Sequence, residues 1–314
     1  MVIGPRSPEA PAGDFGPIYI GRFAPSPTGS LHLGSLLAAV GSFLDARSHG
    51  GRWLVRMEDL DRARVVGGSA DEMLRTLEVF GLHWDGEVEY QSRRTHLYAE
   101  ALESLRAAGH TFECSCSRRE LLAEGEPTQA ASAGMAYPGT CRQQPRRPGA
   151  SATRFRIDEM QTLLFEDRFQ GSISLLMGKL GDVIVRRRDG IFAYQLAVVV
   201  DDAWQGITDV VRGADLLEST GWQIALQRAL HQPTPRYAHL PLLLERSGEK
   251  LSKSRRSAAL DADGAAAELV KVLGLLGLSP PAMLGDSTPA AILEWATARW
   301  RESPPPLPRQ LVVP

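Results

Sequence analysis

The 314-residue chain has only three cysteines, and all of them fall between positions 114 and 141. That is too few, and too clustered, for the disulfide framework of a small secreted domain. No stretch reaches the ~18 consecutive apolar residues of a membrane span. The longest candidates, around Ile191–Val200 and Leu269–Leu278, are short and interrupted by polar residues. Residues 1–17 are rich in Pro, Gly and Ala but lack the continuous apolar core of a signal peptide. There is no internal repeat and no Gly-X-Y period, and 43% hydrophobic residues exclude intrinsic disorder. A net charge of −2 excludes a protein that coats nucleic acid by charge alone, while leaving a local basic face open. Lysine is scarce, four against 31 arginines, so Lys250 and Lys253, three apart, are conspicuous. The length suits two domains, or one with a large insertion, in a cytoplasmic protein.

Hydrophobic periodicity gives the coarse organisation. Ile18–Phe23 reads as a strand, Pro25–Gly29 as a turn, and Leu31–Ser48 as a helix, the opening of an α/β nucleotide-binding unit. Gly51–Glu58 is the next strand. Ser69–Phe80 is a helix with Ser69 as N-cap and Glu72 completing a capping box. Thr95–Ala108 is a second amphipathic helix ending at Gly109. From Thr111 to about Arg154 the periodicity fades, as expected of an inserted subdomain, and Phe155–Val185 reads as strands of that insertion. The apolar run Ile191–Val200 marks the return of the α/β sheet. Ser219–Leu230 is a helix and Tyr237–Leu244 a strand. After Ser257 the chain is helical to about Arg301, broken at Ser279-Pro280-Pro281, and 303–314 is a Pro-rich tail.

Three constellations carry chemistry. In the first, Arg22-Phe23-Ala24-Pro25-Ser26-Pro27-Thr28-Gly29-Ser30-Leu31-His32-Leu33-Gly34, a strand ends in a tight turn before a helix whose first turn holds a His and a Gly. The free N–H groups of such a helix start favour phosphate, His32 can donate to a phosphate oxygen, and Gly34 allows close approach of a nucleoside. Alone, the segment also reads as an ordinary Pro/Gly turn. In the second, Lys250-Leu251-Ser252-Lys253-Ser254, two ammonium groups and two hydroxyls on a loop can meet a polyphosphate, or be solvated surface charge. The third is Cys114-x-Cys116 followed by Tyr137-x₃-Cys141. Three thiolates with a fourth donor make a tetrahedral zinc site, but the spacing also permits free thiols or one disulfide with a thiol left over.

Together and in this order, the first two segments resemble the HIGH and KMSKS signatures of class I aminoacyl-tRNA synthetases. Arg22–Gly29, Arg56-Met57-Glu58-Asp59-Leu60-Asp61, and Asp201-Asp202 with Gly206-Ile207-Thr208 and Val211–Leu217 are similar to the glutamyl-tRNA synthetases, over about Ile18–Arg256. The Cys-x-Cys…Tyr-x₃-Cys pattern resembles one subgroup, the glutamyl-Q tRNA(Asp) synthetases. The resemblance implies an α/β fold: a Rossmann-type parallel-sheet core, an inserted zinc-binding α+β subdomain and a small C-terminal helical region. Its parts are a flexible leader (1–17), the first half of the core (18–110), the insertion (111–188), the second half of the core (189–246), and the KMSKS-type loop with a helical stem-contact-like region (247–314).

The resemblance also implies roles. Glutamate, with two carboxylates and an ammonium, is bound at Arg22, Phe23, Ala24, Pro25, Ser26, Glu58, Tyr194 and Arg212. Arg22 and Arg212 are suited to bidentate carboxylate contacts and Glu58 to the ammonium, with the assignment of each arginine open. ATP, with Mg2+, is held by Gly29, His32, Gly34, Lys250, Ser252 and Lys253, of which His32 and Lys253 are the catalytic candidates. A structural Zn2+ is held by Cys114, Cys116, Tyr137 and Cys141. Arg118, Arg119, Arg186–Arg188, Arg255 and Arg256 are candidates for RNA phosphates or plain surface charge. About 60 residues follow Ser254, room for a small helical bundle and too little for an anticodon-reading module. The expectation is therefore a ligase that activates L-glutamate with ATP and transfers it to queuosine in the anticodon loop of tRNA(Asp). The alternatives are a truncated synthetase charging tRNA(Glu) and a catalytically silent tRNA- or amino-acid-binding paralogue.

Overall fold

A computed structural model describes residues 18–124, 136–248, 250–251, 260–261, 263–302 and 306–313. Ser252, Lys253, Arg255, Arg256 and the leader 1–17 lie outside the described residues. In chain order the elements are β1 (Ile20–Phe23), α1 (Leu33–Ser48), β2 (Arg52–Met57), α2 (Ser69–Val79), β3 (Glu89–Tyr90), α3 (Thr95–Ala107), β4 (Thr111–Cys114), α4 (Arg118–Glu124), β5 (Ala152–Phe155), β6 (Thr162–Asp167), β7 (Gly171–Leu176), α5 (Met177–Leu180), β8 (Val183–Arg186) and α6 (Tyr194–Trp204). There follow β9 (Asp209–Gly213), α7 (Ser219–Ala229), β10 (Arg236–Leu240), β11 (Leu242–Leu244), α8 (Ala265–Leu275), α9 (Pro289–Glu302) and β12 (Gln310–Val312).

β1, β2 and β3 form a parallel sheet, and β9, β10 and β6 a second one, with β7 antiparallel at its edge. Thr208 joins the two sheets: its N–H donates to Ile20 O (3.0 Å) and its Oγ1 accepts from Ile20 N (2.8 Å). Residues at or just after the C-terminal ends of β1, β2 and β9 line one cavity, the place where open α/β sheets bind ligands. α1 is buried around most of its circumference because it packs on β1 and β9 and under α8 and α9. One core gathers Leu36, Val40, Phe43, Trp53, Leu269 and Trp300, and a second gathers Tyr98, Leu196, Val199, Trp222 and Leu226.

Several expectations need correction. The apolar run at Ile191–Val200 is the helix α6, and the sheet resumes only at β9. A short run buried on all sides carries no period that separates strand from helix. β6 and β7, within the stretch read as insertion strands, pair alongside β10, while β4, β5 and β8 form their own antiparallel sheet. Ser69 does not cap α2: Gly68 holds that position with φ +78, and the Ser69 hydroxyl donates to Gly29 O (2.8 Å). Glu72 accepts from Ser30 Oγ (2.6 Å), so both residues brace the loop before α1. The Pro-rich tail contains β12, which lies parallel to β11 with Leu243 opposite Leu311. Among the described residues, no helix is long and apolar enough to cross a membrane.

Candidate active site

The turn after β1 is held from three sides. Glu58 N donates to Pro25 O (2.9 Å), Val66 N to Pro27 O (3.0 Å), and Ser69 brackets Gly29. Gly29 has φ +143, which an L side chain would resist. Helix α1 begins at Leu33, so His32 is its N-cap and not a first-turn residue: Nδ1 accepts from Ser35 N (3.2 Å). That bond leaves the proton on Nε2, which contacts Ser35 Oγ (3.2 Å). Burial and the nearby Lys250 push the His32 imidazole below its usual value, which favours its neutral form at the start of α1. A Cβ at Gly34 would stand 3.1 Å from the His32 ring; the glycine thus makes room for the imidazole.

Below this turn lies a network of buried charge. Arg22 Nε and Nη2 donate to Asp202 Oδ1 and Oδ2 (3.2 and 3.4 Å), and Arg56 Nη2 donates to Asp202 Oδ1 (2.7 Å). Asp201, fully buried beside it, accepts from Arg94 Nε (2.7 Å), Gln91 Nε2 (2.9 Å) and the Tyr98 hydroxyl (2.7 Å). Both aspartates come from adjacent positions on α6 and hold three arginines from β1, β2 and the start of α3. Burial alone would raise the Asp202 carboxyl, but Arg22 and Arg56 outweigh it and hold it below the usual range. Glu58, whose carboxylate stands 3.9 Å from Arg56 Nη2, is pushed up to about 7 by burial, only partly offset by Arg56 and Arg22. An acid poised in this way gains most from a cationic partner.

Arg212, at the end of β9, is buried and engaged along its inner edge. Nε donates to His239 Nε2 (3.2 Å) and Nη2 to Thr220 Oγ1 (2.8 Å), while Nη1 donates to the Tyr194 hydroxyl (3.3 Å). The expected bidentate use of Arg22 and Arg212 is thus narrowed: in each, the Nε–Nη2 edge is already taken by protein partners.

One cavity of about 790 Å³ joins these groups. Arg22, Phe23, Ala24, Pro25, Ser26, Glu58, Tyr194 and Arg212 line it, as do Gly29, His32, Gly34 and Lys250. All twelve described members of the anticipated glutamate and ATP sets face the same space. Lys250 is ion-paired with Asp215, which follows β9 and also lines the cavity. Asp202, Asp215, Thr220, Asp167 and His239 carry no role that the sequence predicts. Asp202 and Asp215 lie in the motif segments Asp201-Asp202 and Val211–Leu217, which alone point to them.

The cysteines form a separate cluster. The Sγ atoms of Cys114, Cys116 and Cys141 lie within 4.8 Å of one another. The Tyr137 hydroxyl sits 3.5 Å from Cys114 Sγ and accepts from Cys141 N (2.7 Å). Burial raises the Cys141 thiol, but the Tyr137 hydroxyl and the N–H groups of Arg146 and Ser115 outweigh it and bring it down to about 6. Three soft donors and a phenol oxygen, converging in one small space, fit a tetrahedral zinc ion. Among the candidate RNA contacts, Arg187 pairs with Asp61 and Asp189, Arg188 donates to Ser115 O and Cys116 O, and Arg186 donates to Gly190 O. Arg118 and Arg119 are exposed.

Comparison with known proteins agrees with this geometry. Residues 20–284 match the family model for the catalytic domain of class I tRNA synthetases (E and Q). The glutamyl-Q tRNA(Asp) synthetase of Dechloromonas aromatica is 55% identical over 284 residues, covering 90% of this chain and 94% of its own. That of Pseudomonas aeruginosa is 50% identical over 283 residues, covering 90% and 93%. The solved glutamate-tRNA synthetase of Elizabethkingia anophelis superposes with a TM-score of 0.73 at 25% identity, covering 88% of this chain and 65% of that one. A glutamate tRNA ligase from Elizabethkingia meningosepticum, in complex with its amino acid, gives 0.66 at 28%, covering 77% and 52%. The chain thus spans about half to two-thirds of the length of these solved structures. Fold, motifs and relatives agree that the chain belongs to the class I tRNA synthetases of the E and Q group and, within it, to the glutamyl-Q tRNA(Asp) synthetase family.

Proposed function

We propose that this enzyme activates L-glutamate with ATP and transfers the glutamyl group to the queuosine base in the anticodon loop of tRNA(Asp). The observation that carries the reading is the shared cavity. It sets a phosphate-suited helix start, His32 with Lys250, within one space of a pocket bearing two arginines and one poised acid. Glu58 takes the substrate ammonium. The outward Nη1 groups of Arg22 and Arg212, with the Tyr194 hydroxyl, take the carboxylates. Phe23, Ala24, Pro25 and Ser26 form the wall between amino acid and nucleotide. Gly29, His32, Gly34 and Lys250, with Ser252 and Lys253 next in sequence, hold ATP, which enters as its Mg2+ complex.

In the first step a carboxylate oxygen of glutamate attacks the α-phosphorus, forming glutamyl-adenylate and releasing pyrophosphate. No protein nucleophile is required; positioning and the cationic groups carry the step. His32 Nε2–H donates to a phosphate oxygen, and Lys253 neutralises charge on the departing pyrophosphate. A hydroxyl of the queuosine cyclopentenediol then attacks the mixed anhydride, giving the ester and AMP. The base enters splayed from its loop, a common mode of RNA recognition. Cys114, Cys116, Tyr137 and Cys141 would hold a structural zinc ion, which would tie the end of β4 to the 137–141 segment and take no part in the chemistry. The reaction belongs where tRNA is, in the cytoplasm.

Two measurements test the proposal. Purified enzyme supports glutamate-dependent pyrophosphate–ATP exchange without tRNA, and it transfers labelled glutamate to tRNA(Asp) only when queuosine is present. Transfer to tRNA(Glu) lacking queuosine would falsify the substrate assignment.

A further inference from the structure

Behind Arg212, on the side away from the cavity, lies a pair that the proposed chemistry does not use. His239 on β10 is fully buried, and Asp167 at the end of β6 nearly so. The His239 Nδ1 meets Asp167 Oδ2 at 2.5 Å, and its Nε2 faces Arg212 Nε at 3.2 Å. The guanidinium can only donate, so Nε2 must present its lone pair, and the proton of the ring must sit on Nδ1 and point to Asp167. Asp167 is itself fixed. Its other oxygen, Oδ1, accepts from the backbone N–H groups of His239 (3.1 Å), Phe169 (3.1 Å) and Gln170 (3.0 Å). Thr220 Oγ1 completes the arrangement, 2.8 Å from Arg212 Nη2 and 3.2 Å from His239 Nε2. Tyr237 stacks on the imidazole, with ring planes 13° apart.

We propose that Asp167 and His239 are positioning residues for substrate binding: by fixing the imidazole tautomer they lock the inner edge of Arg212 and leave only its Nη1 end, beside Tyr194, for a carboxylate of the amino acid. The inference rests on the glutamate-binding role proposed above. Burial, opposed by Asp167 and reinforced by the positive charge of Arg212, pushes His239 down to about 4, in keeping with a ring that stays neutral when the site works. A protonated ring, or the other tautomer, would set an N–H against the Nε–H of Arg212 and free the side chain to swing.

The decisive variant is Asp167→Asn. Three N–H donors hold its oxygen in the Oδ1 position, so the new NH2 group faces Nδ1 and forces the proton onto Nε2, toward Arg212. The shape of the residue is unchanged. In pyrophosphate–ATP exchange with the full-length enzyme, the glutamate KM rises about ten- to hundredfold, the scale of losing a hydrogen bond to a charged group, while the ATP KM stays within about threefold. A second pair reads the same device from the other side. His239→Gln can place its carbonyl where Nε2 accepts, and holds the glutamate KM near wild type. His239→Asn reaches only the Asp167 side, and raises it as Asp167→Asn does. A glutamate KM within twofold of wild type in D167N, or His239→Gln and His239→Asn behaving alike, overturns the inference. So does a parallel rise in both KM values, which marks a general structural defect. Absence of exchange in the wild-type enzyme would instead overturn the proposed function itself.

Discussion

The two aspartates near the C-terminal end of α6 make the stability of this enzyme depend on charge balance. Three guanidinium groups, Arg22, Arg56 and Arg94, face three carboxylates, Asp201, Asp202 and Glu58, and the side chains of Arg56 and Asp201 have no exposure at all. Asp202→Asn keeps the volume but removes one negative charge, leaving Arg22 and Arg56 partly uncompensated. Breaking a buried, hydrogen-bonded ion pair by removing one partner costs about 3–5 kcal/mol. For a chain of this size that is a fall in Tm of about 5–8 °C. The sign with pH is fixed. Asp202 is held below its ordinary value of 3.8, so its contribution is fully present above that value and is lost only as pH falls through the lower, folded-state value. Asp202 itself does not titrate between about pH 6 and 8, but Glu58 does. The difference in Tm between variant and wild type is therefore largest at about pH 6 and narrows as Glu58 ionises above about pH 7, where the variant is free of the Asp202–Glu58 repulsion. Differential scanning calorimetry at several pH values measures it. A variant melting within about 2 °C of wild type at neutral pH refutes the charge-balance argument.

Two further predictions concern the pocket and the cysteine cluster. Because Glu58 is raised to about 7 and must be ionised to hold an ammonium, kcat/KM for glutamate falls as pH drops below about 7, by up to tenfold per unit. Asp202→Asn moves this limb to lower pH, since the Asp202 charge is among those holding Glu58 up. A flat profile between about pH 6 and 8 removes Glu58 from that role. Purified protein carries about one zinc per chain. Cys116→Ser abolishes it and speeds limited proteolysis within 111–160 while the melting of the main core persists. A metal-free protein with an intact, protease-resistant insertion disproves the site.

Much of this site could be read from sequence because its parts sit in short, spaced segments. Arg22 to Gly34 is one strand, turn and helix start, and Glu58 directly follows the next parallel strand, whose register with β1 follows from the pairing of Phe23 with Val55. The positioning pair was not legible. Asp167 and His239 are single residues 72 positions apart, brought together only because β6 runs parallel to β10, and nothing local in either segment announces that pairing. Ser69 and Glu72 have the spacing of a capping box, yet their side chains serve the loop at Gly29 and Ser30; the competition between local and tertiary partners is invisible to spacing. The apolar run of α6 has the look of a buried strand in sequence because residues 195–199 are all buried, which erases the helical period.

The strand at 310–312 changes the mechanical character of the arm that bears Lys250. β11 leads directly from β10 toward that lysine, and β12 lies along its edge, with Val313 N donating to Leu244 O (2.8 Å). Gln170 extends the seam, its amide donating to His239 O (2.8 Å). The backbone up to Leu244 is thereby clamped by a strand from far along the chain, and Lys250 returns to Leu244 through an antiparallel bridge. A tag or fusion joined close to residue 313 consequently abuts the base of the arm that carries Lys250.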